Sequence, residues 1–501
     1  MDETKFLVLF LLLLSTAAFV RLWDIERRPA HHDEGNHDFF TMALVDENYH
    51  YDPVYHGPFL YHVTAASYGL LGRNLVSLRL PQIIFGIALV MLLFSMREYL
   101  GKWGTLTAAA LLAVSSSFVY YSRFAIHDSF FAFFTLAVVL CGVKFTDYLL
   151  KGGVKNRGTT LTWAVSLGIA LGLMFSVKET AYINAAMFGT FIFLAAAWYF
   201  LNGKLKEYWD KDRLTTFLLS ACAIIAVFVL VFQLSYTSFF RIEGGIPDSM
   251  ISAVSHWTST TQSWEGHHKE YTYYVKLMRE YDTPMIVLGL LGLAAAAWKG
   301  NLFERFLVFW AAAITLGFFY IPYKTPWLII HILLPYALLA GVFIQRLMDQ
   351  FKGSKKLQGL TLACLGLMLA YGGLLSYNAN FVNPADNDNF LAYVQTTEQI
   401  PLMLDKMEEV SKAKTGDLSA EVYMATNEYW PLPFYLRDFT KVNWSAKPPS
   451  DGTDATIIIA YKPKIAEVEA AIDTSKYVRK EYELRPGVWL VVFYDKDYYS
   501  E

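Results

Sequence analysis

Cysteine and charge are both scarce in this chain. Only three cysteines occur in 501 residues. All three, Cys141, Cys222 and Cys364, fall inside apolar stretches, so the sequence offers neither a disulfide framework nor a thiolate metal site. Charged residues make up 17% of the chain, and the basic ones gather at the edges of apolar stretches without interleaved aromatic side chains. That pattern gives no support for nucleic-acid binding.

Apolar residues are abundant instead, at 55% of the chain, with 16% aromatic. This composition is too hydrophobic for an ordinary globular enzyme and indicates a polytopic α-helical membrane protein. A helix needs roughly 20 apolar residues to cross the hydrocarbon core. By that measure about eleven spans are predicted, at residues 5–22, 75–95, 104–121, 128–149, 160–177, 181–201, 214–234, 284–298, 306–321, 327–345 and 358–376.

Lysine and arginine are unevenly divided between the short connections. Five of these, at 96–103, 150–159, 202–213, 299–305 and 346–357, together hold 15 basic residues, whereas 122–127, 178–180 and 322–326 hold one each. The positive-inside rule therefore predicts a multi-pass protein of the cell membrane with a cytoplasmic amino terminus and large external loops at 23–74 and 235–283. The first span reads as an uncleaved anchor, because residues 1–5 include acids and further spans follow.

A change of composition marks a second domain. We expect a transmembrane domain over 1–379 and a soluble extracytoplasmic α/β domain over 380–501, with the boundary near Asn383-Pro384. Helical patterns occur at 388–412 and 464–472, and β-branched runs at 421–425, 456–461 and 488–494. The tail has no GxGxxG, Walker loop or nucleophile elbow. It could hold an acceptor, cover the external face or simply stabilise the protein.

The most conspicuous polar cluster is His31-His32-Asp33-Glu34, about ten residues beyond the first apolar stretch. A carboxylate at a membrane surface can take a proton from an incoming hydroxyl, and imidazoles can hold a phosphate or a metal ion. A solvated acidic loop without chemistry is the alternative.

Each of the three sparse external loops carries its single cation within a tight polar cluster. Arg123 lies near Asp128, Lys178 precedes Glu179, and Lys324 lies three residues before Trp327. Ionisable groups at membrane depth usually face a cavity or one another, and three cations would suit a phosphate-bearing ligand. Structural alternatives are an Arg123–Asp128 pair, a Lys178–Glu179 pair, and a Lys324 side chain that extends to lipid headgroups.

Two further clusters lie in the long external loops. His56-Gly57-Pro58 precedes an apolar stretch at 59–71 that is too short to span and could lie in the membrane interface. His267-His268 lies between Trp264 and the tyrosines at 271, 273 and 274. Aromatic side chains with hydrogen-bonding tips suit both sugar faces and membrane interfaces.

Taken together, these motifs resemble the GT-C class of membrane glycosyltransferases. The families that the chain resembles are the dolichyl-phosphate-mannose protein mannosyltransferases, the lipid A aminoarabinose transferases and, most closely, a group of archaeal and bacterial membrane-bound mannosyltransferase-like, flippase activity-associated proteins. The resemblance runs over nearly the whole chain and rests on His32-Asp33-Glu34-Gly35, His56-Gly57-Pro58, Ser122-Arg123-Phe124 with Asp128, Lys178-Glu179-Thr180-Ala181, Lys324-Thr325-Pro326-Trp327 and Trp430-Pro431-Leu432-Pro433-Phe434-Tyr435-Leu436-Arg437-Asp438.

The resemblance implies a polyprenyl-phosphate sugar donor and a catalytic acid in the first external loop. Carried over, it makes Asp33 the base, with Glu34 as a neighbour that could share or replace it and Asp128 as a second acid. The segment around Asp128 reads His-Asp-Ser and lacks paired acids, so a divalent metal is possible but doubtful, and no other cofactor is implied. The expected donor-phosphate ligands are Arg123, Lys178, Lys324 and His56, and the expected substrate-binding residues are His32, Glu179, Trp327, His267 and His268.

A phosphate ester is already a competent leaving group, so one carboxylate base and several cations would suffice for direct, inverting displacement. The acceptor, whether a protein, lipid or glycan hydroxyl, and the sugar are not encoded in these motifs. A lipid-linked glycan flippase or a noncatalytic flippase-associated subunit is the alternative. The chain shows no internal repeat and its ionisable clusters gather at one predicted surface, which favours the enzyme. The acids and lone cations are expected to converge on one pocket at the outer leaflet.

Overall fold

The computed structural model describes residues 1–152, 156–204, 210–243, 245–260, 267–449 and 455–500. The chain forms two compact units. The first consists of Met1–Ile25 with Ala43–Val382, and the second of Glu26–Met42 with Asn383–Glu501. The larger piece of the second unit begins at the Asn-Pro pair, and Glu26–Met42, predicted as part of an external loop of the transmembrane domain, belongs to the second unit as well.

The first unit is built from helices, and residues 32–42 of one further helix, α2 (His32–Val45), belong to the second unit. In chain order the helices before the tail are α1 (Glu3–Leu22), α2 (His32–Val45), α3 (Phe59–Leu71), α4 (Leu75–Leu92), α5 (Arg97–Val114), α6 (Ser116–Ser122), α7 (Asp128–Gly152), α8 (Arg157–Val177), α9 (Thr180–Leu201), α10 (Lys211–Tyr236), α11 (Ile246–Thr260), α12 (Tyr273–Tyr281), α13 (Thr283–Lys299), α14 (Leu302–Tyr320), α15 (Ile329–Gln350) and α16 (Lys355–Tyr377).

Among the described residues, nine helical segments are long and apolar enough to cross a membrane. A tenth is obtained if α12 and α13, which bend by 110° at their junction, form one span. The segment Leu75–Val114 runs for 40 residues and covers one predicted span and part of the next. Every predicted span overlaps a helix, although the one over 104–121 is divided between two, and the predicted class, a polytopic α-helical membrane protein, is confirmed.

The helix predicted over 104–121 is interrupted at Ser115, whose extended backbone (φ −60°, ψ 128°) separates α5 from α6. The Ser115 hydroxyl accepts a hydrogen bond from the Phe118 backbone N–H at 3.2 Å and so caps α6. Ser115 and Ser117 also donate to the two carboxylate oxygens of Asp282, at 2.5 Å each. This buried carboxylate fixes the direction in which α6 leads to Arg123 and Asp128.

Close helix packing in the first unit depends on small residues. A Cβ built on Gly104 of α5 would lie 2.9 Å from the backbone oxygen of Gly341, and one on Gly341 would lie 2.5 Å from that of Gly104. Without side chains the two backbones approach directly, as is common where transmembrane helices cross. This crossing holds α15, which carries a site residue described below, against α5.

The second unit contains a five-stranded sheet in the order β2-β1-β3-β5-β4. Its strands are β1 (Val422–Ala425), β2 (Val442–Trp444), β3 (Ile457–Tyr461), β4 (Tyr477–Arg485) and β5 (Val488–Asp495), and its helices are α17 (Gln399–Thr415), α18 (Leu432–Tyr435) and α19 (Ile465–Glu469). Strand β1 pairs in parallel with β2 and with β3, and β5 pairs antiparallel with β3 and with β4. Met403 and Met407 of α17 pack on one face with Ile457, Ile459 and Val492.

Candidate active site

A buried ion pair in the first unit joins two elements that are distant in sequence. Asp128 is the first residue of α7, and Lys178 follows the last residue of α8. The Lys178 Nζ atom lies 3.0 Å from each Asp128 carboxylate oxygen, and the Nε2 atom of His331 on α15 lies 2.7 Å from Oδ1. All three residues are at most 4% exposed. The Asp128 carboxylate is therefore held by a cation and an imidazole.

A second hydrogen-bonded group adjoins the first along the chain. His56 Nδ1 lies 2.6 Å from Glu179 Oε2, and the Tyr51 hydroxyl donates to Glu179 Oε1 at 2.7 Å. Glu179 is buried, which raises its pKa, but the charge and hydrogen bond of His56 outweigh burial and leave that pKa below its usual value. The His56 ring also stacks on Trp257, with centroids 5.8 Å apart and planes 13° apart. The hydrogen bond and the stacking together fix the imidazole.

Residues from both groups line a cavity of about 260 Å³ within the first unit. Lys178, Glu179 and His56 form its polar part, and Trp257, Tyr323 and Trp327 contribute aromatic rings. The remaining wall is mainly apolar. A cavity with one polar end and an apolar wall matches a ligand that joins a charged headgroup to a hydrocarbon chain.

The loop that carries Lys324 adjoins this cavity, since Tyr323 and Thr325 on either side of Lys324 both line it. The Lys324 backbone N–H donates to the carbonyl of His267 at 2.9 Å, and His268 pairs with Tyr323 as an antiparallel bridge. The Lys324 ammonium donates to the Ile321 carbonyl and lies 5.8 Å from the Tyr271 ring centroid. Burial lowers the pKa of Lys324. Among the described residues, no carboxylate lies within ion-pair distance of it.

Arg123 has a different environment from the two lysines. Its guanidinium donates to the carbonyls of Val20 and Trp23, at 3.0 and 2.7 Å, and to that of Asp24 at 2.6 Å. It also packs over the Phe381 ring at 4.5 Å. These contacts satisfy carbonyls at and just beyond the carboxyl end of α1, where a positive charge is favourable. A contact between Arg123 and a donor phosphate stays a prediction.

The acidic motif lies in the second unit and is organised as a helix start. The His31 backbone N–H donates to Glu34 Oε2 at 2.9 Å, and the Asp33 backbone N–H donates to His31 Nδ1 at 2.9 Å. This reciprocal arrangement resembles a capping box at the start of α2, with a histidine as the cap that accepts from the second helical N–H, whereas a capping box uses the third. Glu34 is 0% exposed, whereas the Asp33 side chain is 31% exposed. The two neighbouring acids thus have different environments.

The remaining histidine of the motif is mostly buried. Burial lowers the pKa of His32 to about 4, with a smaller contribution from the nearby Arg485. His32 is therefore neutral at physiological pH, and it would contact a ligand as a hydrogen-bonding group without charge.

The residues around Asp128 do not fit a divalent metal ion. Among the described residues its side-chain partners are an ammonium and an imidazole, whereas hard cations prefer several oxygen ligands. Within the part of the chain that the structure describes, no group of three or more His, Cys, Asp or Glu side chains is placed to hold a metal.

The structure thus brings Lys178, Glu179, His56 and Trp327 to one cavity, and Asp128 contacts Lys178. Lys324, His267 and His268 do not line the cavity, but their backbones are joined at the loop whose residues Tyr323 and Thr325 do. The pairings expected as structural alternatives were wrong: Lys178 pairs with Asp128, and Glu179 pairs with His56. Sequence reasoning missed His331 and Tyr51 as site residues, and it did not assign Trp257 or Tyr323 a role although both lie in the clusters of the external loops. For His331 the available signal was a lone histidine within an apolar span. The earlier residues Trp264, Glu265 and Gly266 lie outside the described residues.

Comparisons with known proteins agree with this architecture. A family model described as dolichyl-phosphate-mannose-protein mannosyltransferase matches residues 50–240. Dolichyl-phosphate-mannose–protein mannosyltransferase 2 of Candida albicans is 26% identical over 146 residues, which make up 29% of this chain and 18% of that protein. The chain thus matches less than a fifth of the length of this curated relative.

Solved structures are similar over nearly the whole chain. ArnT from Cupriavidus metallidurans matches 100% of both chains at 15% identity, with a TM-score of 0.69 in its apo state and 0.64 when bound to undecaprenyl phosphate. The oligosaccharyltransferase AglB of Archaeoglobus fulgidus, in complex with an inhibitory peptide and a dolichol-phosphate, matches 97% of this chain and 74% of its own at 12% identity and a TM-score of 0.60. The GT-C fold implied by the sequence motifs is confirmed.

Proposed function

We propose that this protein is a membrane glycosyltransferase that moves a sugar from a polyprenyl-phosphate donor to an acceptor hydroxyl. The observation that carries the proposal is the cavity of the first unit, where Lys178 and the His56–Glu179 pair meet an apolar and aromatic wall. Two proteins of the same fold have been solved with a polyprenyl phosphate bound. A lipid phosphate is the ligand that best accounts for a polar end beside an apolar wall.

The charges around the cavity suit a phosphate that becomes more negative during the reaction. Lys178 is offset by Asp128, and a protonated His56 would be offset by Glu179. Lys324 adds a positive charge that no described carboxylate offsets. The donor is a phosphodiester with one negative charge, and the released polyprenyl phosphate gains a second. Cations placed beforehand stabilise that charge as it develops, so they lower the barrier of the chemical step.

In this proposal Asp33 is the base that takes the proton of the acceptor hydroxyl. Its side chain is partly exposed, whereas Glu34 is fully buried and accepts the backbone N–H of His31. The capping role makes Glu34 a poor substitute for the base, because leaving that position would leave the His31 N–H without this acceptor. The oxygen of the acceptor attacks the anomeric carbon, the bond to the phosphate oxygen breaks, and the configuration inverts.

The remaining assignments complete the proposal. Asp128 holds Lys178 in place. The residues that contact substrate are His32, Glu179, Trp327, His267 and His268. Arg123 is the least supported of the phosphate ligands, because its guanidinium binds carbonyls at the end of α1. The acceptor is a protein, lipid or glycan hydroxyl. We place the amino terminus in the cytoplasm and the tail domain outside the cell membrane, following the distribution of basic residues.

The decisive experiment uses the full-length protein in liposomes with radiolabelled dolichyl-phosphate mannose and a pool of serine- and threonine-containing peptides. We expect label transfer by the wild type and a loss of at least about a hundredfold in Asp33→Asn, as for removal of a general base. Asp46→Asn is the matched control, since Asp46 is an exposed acid of the same segment.

Three results would count against the proposal in different ways. Transfer that survives Asp33→Asn would remove Asp33 as the base. Movement of the labelled lipid between leaflets without any transfer would favour the flippase alternative. Failure of Lys178→Met to weaken binding of dolichyl phosphate would remove the cavity as the donor site.

A further inference from the structure

The start of α2 is held by the tail domain of the second unit at several points. His31 Nε2 lies 2.6 Å from the carbonyl oxygen of Tyr393. Because His31 Nδ1 accepts the Asp33 N–H, the ring proton lies on Nε2, which therefore donates to Tyr393. The imidazole thus connects the tail backbone to the backbone of Asp33 through its two nitrogen atoms.

The physical state of His31 agrees with this geometry. The residue is 2% exposed, and burial lowers its pKa to about 3. The ring therefore stays uncharged at neutral pH and keeps one nitrogen as donor and the other as acceptor. Its 3.8 Å approach to Asp33 Oδ2 is then not an ion pair.

Two more hydrogen bonds fasten the residues just before α2. The Tyr435 hydroxyl accepts the Ala30 backbone N–H at 2.6 Å, and the Gln395 side-chain amide donates to the Pro29 carbonyl at 3.0 Å. Both partners come from the tail, more than 350 residues along the chain. The backbone just before the cap is therefore fixed by the same domain.

Packing on the first turn of α2 is equally close. A Cβ on Gly35 would lie 2.7 Å from Pro431 Cβ and 2.8 Å from Pro431 Cα, so the tail loop touches the helix backbone directly. One turn later the Phe39 ring meets Trp430 edge to face, with centroids 5.9 Å apart. The motif Trp430-Pro431 singled out in the sequence is thus the surface on which the acidic helix rests.

We propose that the tail domain is a positioning element for the transfer reaction, and that His31 and Tyr435 are the positioning residues through which it sets the place of the Asp33 carboxylate. This inference rests on the proposed role of Asp33 as base. It gives the tail a specific part in the reaction, because both residues determine where the base stands although neither touches the reacting atoms. A displacement of about 1 Å at a base can cost a hundredfold in rate.

Two tyrosine variants of the tail separate positioning from stability. Tyr435→Phe removes the hydrogen bond to the Ala30 N–H, and Tyr477→Phe removes a hydrogen bond of similar length, 2.9 Å, to the Ala455 carbonyl elsewhere in the same domain. Both variants should lose similar stability. We expect kcat to fall about tenfold in Tyr435→Phe with an unchanged donor KM, and both constants to stay at wild-type values in Tyr477→Phe. Equal effects of the two variants on kcat would overturn the proposal.

His31 variants test the second positioning residue. His31→Asn keeps an acceptor for the Asp33 N–H but loses the reach to Tyr393, whereas His31→Ala loses both. We expect kcat to fall about tenfold in His31→Asn and about a hundredfold in His31→Ala, again at constant donor KM. Wild-type kcat in both variants would overturn the role of His31.

Combination with Asp33→Asn distinguishes this inference from the proposed function. If His31 and Tyr435 act through Asp33, then His31→Ala and Tyr435→Phe cause no further loss of the residual rate in an Asp33→Asn background. If Asp33→Asn lowers the rate strongly and the second substitutions lower its residual rate by the same factors as in the wild type, the positioning proposal fails and the base assignment stands. If Asp33→Asn retains full activity, the base assignment itself fails.

Discussion

Replacing Lys178 by methionine should destabilise the first unit strongly, because it leaves the Asp128 carboxylate buried without its cation. The two side chains are only 5% and 2% exposed, and the ammonium contacts both carboxylate oxygens at 3.0 Å. At an effective dielectric constant of about 20, two unit charges at that distance attract by about 5 kcal/mol. Removing one partner of a buried pair costs a similar amount, about 3–5 kcal/mol.

The assay is thermal unfolding of the full-length protein in detergent, with Lys144→Met as the matched control. Lys144 also forms an ion pair, with Glu98 at 2.6 Å, but the Glu98 side chain is 63% exposed. Exposed pairs contribute only about 0–1 kcal/mol. We therefore expect Lys178→Met to lower the unfolding temperature clearly and Lys144→Met to leave it nearly unchanged.

A double variant separates the charge from the shape of the site. Asp128→Asn combined with Lys178→Met removes both charges, so most of the lost stability should return while donor binding stays weak. Equal unfolding temperatures for Lys178→Met and Lys144→Met would refute the reasoning. So would a double variant that is less stable than Lys178→Met alone.

Three further predictions concern neighbouring features. Gly57→Ala should lower stability and activity, because its Cβ would lie 2.2 Å from a backbone oxygen of α8. Gly69→Ala is the control and should be tolerated, because there is open space around its Cβ. Thermal unfolding and transfer assays compare the two variants. Glu179→Gln should raise the donor KM by weakening the hold on His56, and unchanged KM would contradict this role. Burial lowers the pKa of His31 to about 3, so this residue binds a proton less readily in the folded than in the unfolded state. The free energy of unfolding should therefore fall by up to about 1.4 kcal/mol per pH unit as pH drops from about 6.5 towards 3. Between pH 7.5 and 5.5, His31→Asn should lose less stability than the wild type.

The positions of the membrane spans were predictable because long apolar runs mark them in the sequence. The strands and helices of the tail were predicted only in part. The three runs of β-branched residues became β1, β3 and β5. The strands β2 and β4 were missed, since Val442–Trp444 is short and mostly exposed, and Tyr477–Arg485 carries several charges on a partly exposed edge strand. The helix expected from residue 388 begins at Gln399, after a series of turns.

The residue types of the site were predictable, but their partners were not. Neighbours in sequence, such as Lys178 and Glu179, point to different partners because one ends a helix and the other begins the next. Asp128 meets His331 across 203 positions, and no local pattern encodes such a contact. The separate environments of Asp33 and Glu34 likewise depend on a histidine cap, which is an uncommon choice at a helix start.

The composition of the second unit has a consequence for biosynthesis. Its two pieces, Glu26–Met42 and Asn383–Glu501, are separated by the 340 residues of Ala43–Val382. At a translation rate of about 5–20 residues per second, a ribosome needs roughly 20–70 s to cover that interval. Helix α2 is synthesised early and lacks the tail domain that supports it until the rest of the chain has been made and inserted. If Asp33 is the base, as proposed, a nascent or truncated chain would lack the domain that positions it, and activity would arise only once the last quarter of the polypeptide had been made.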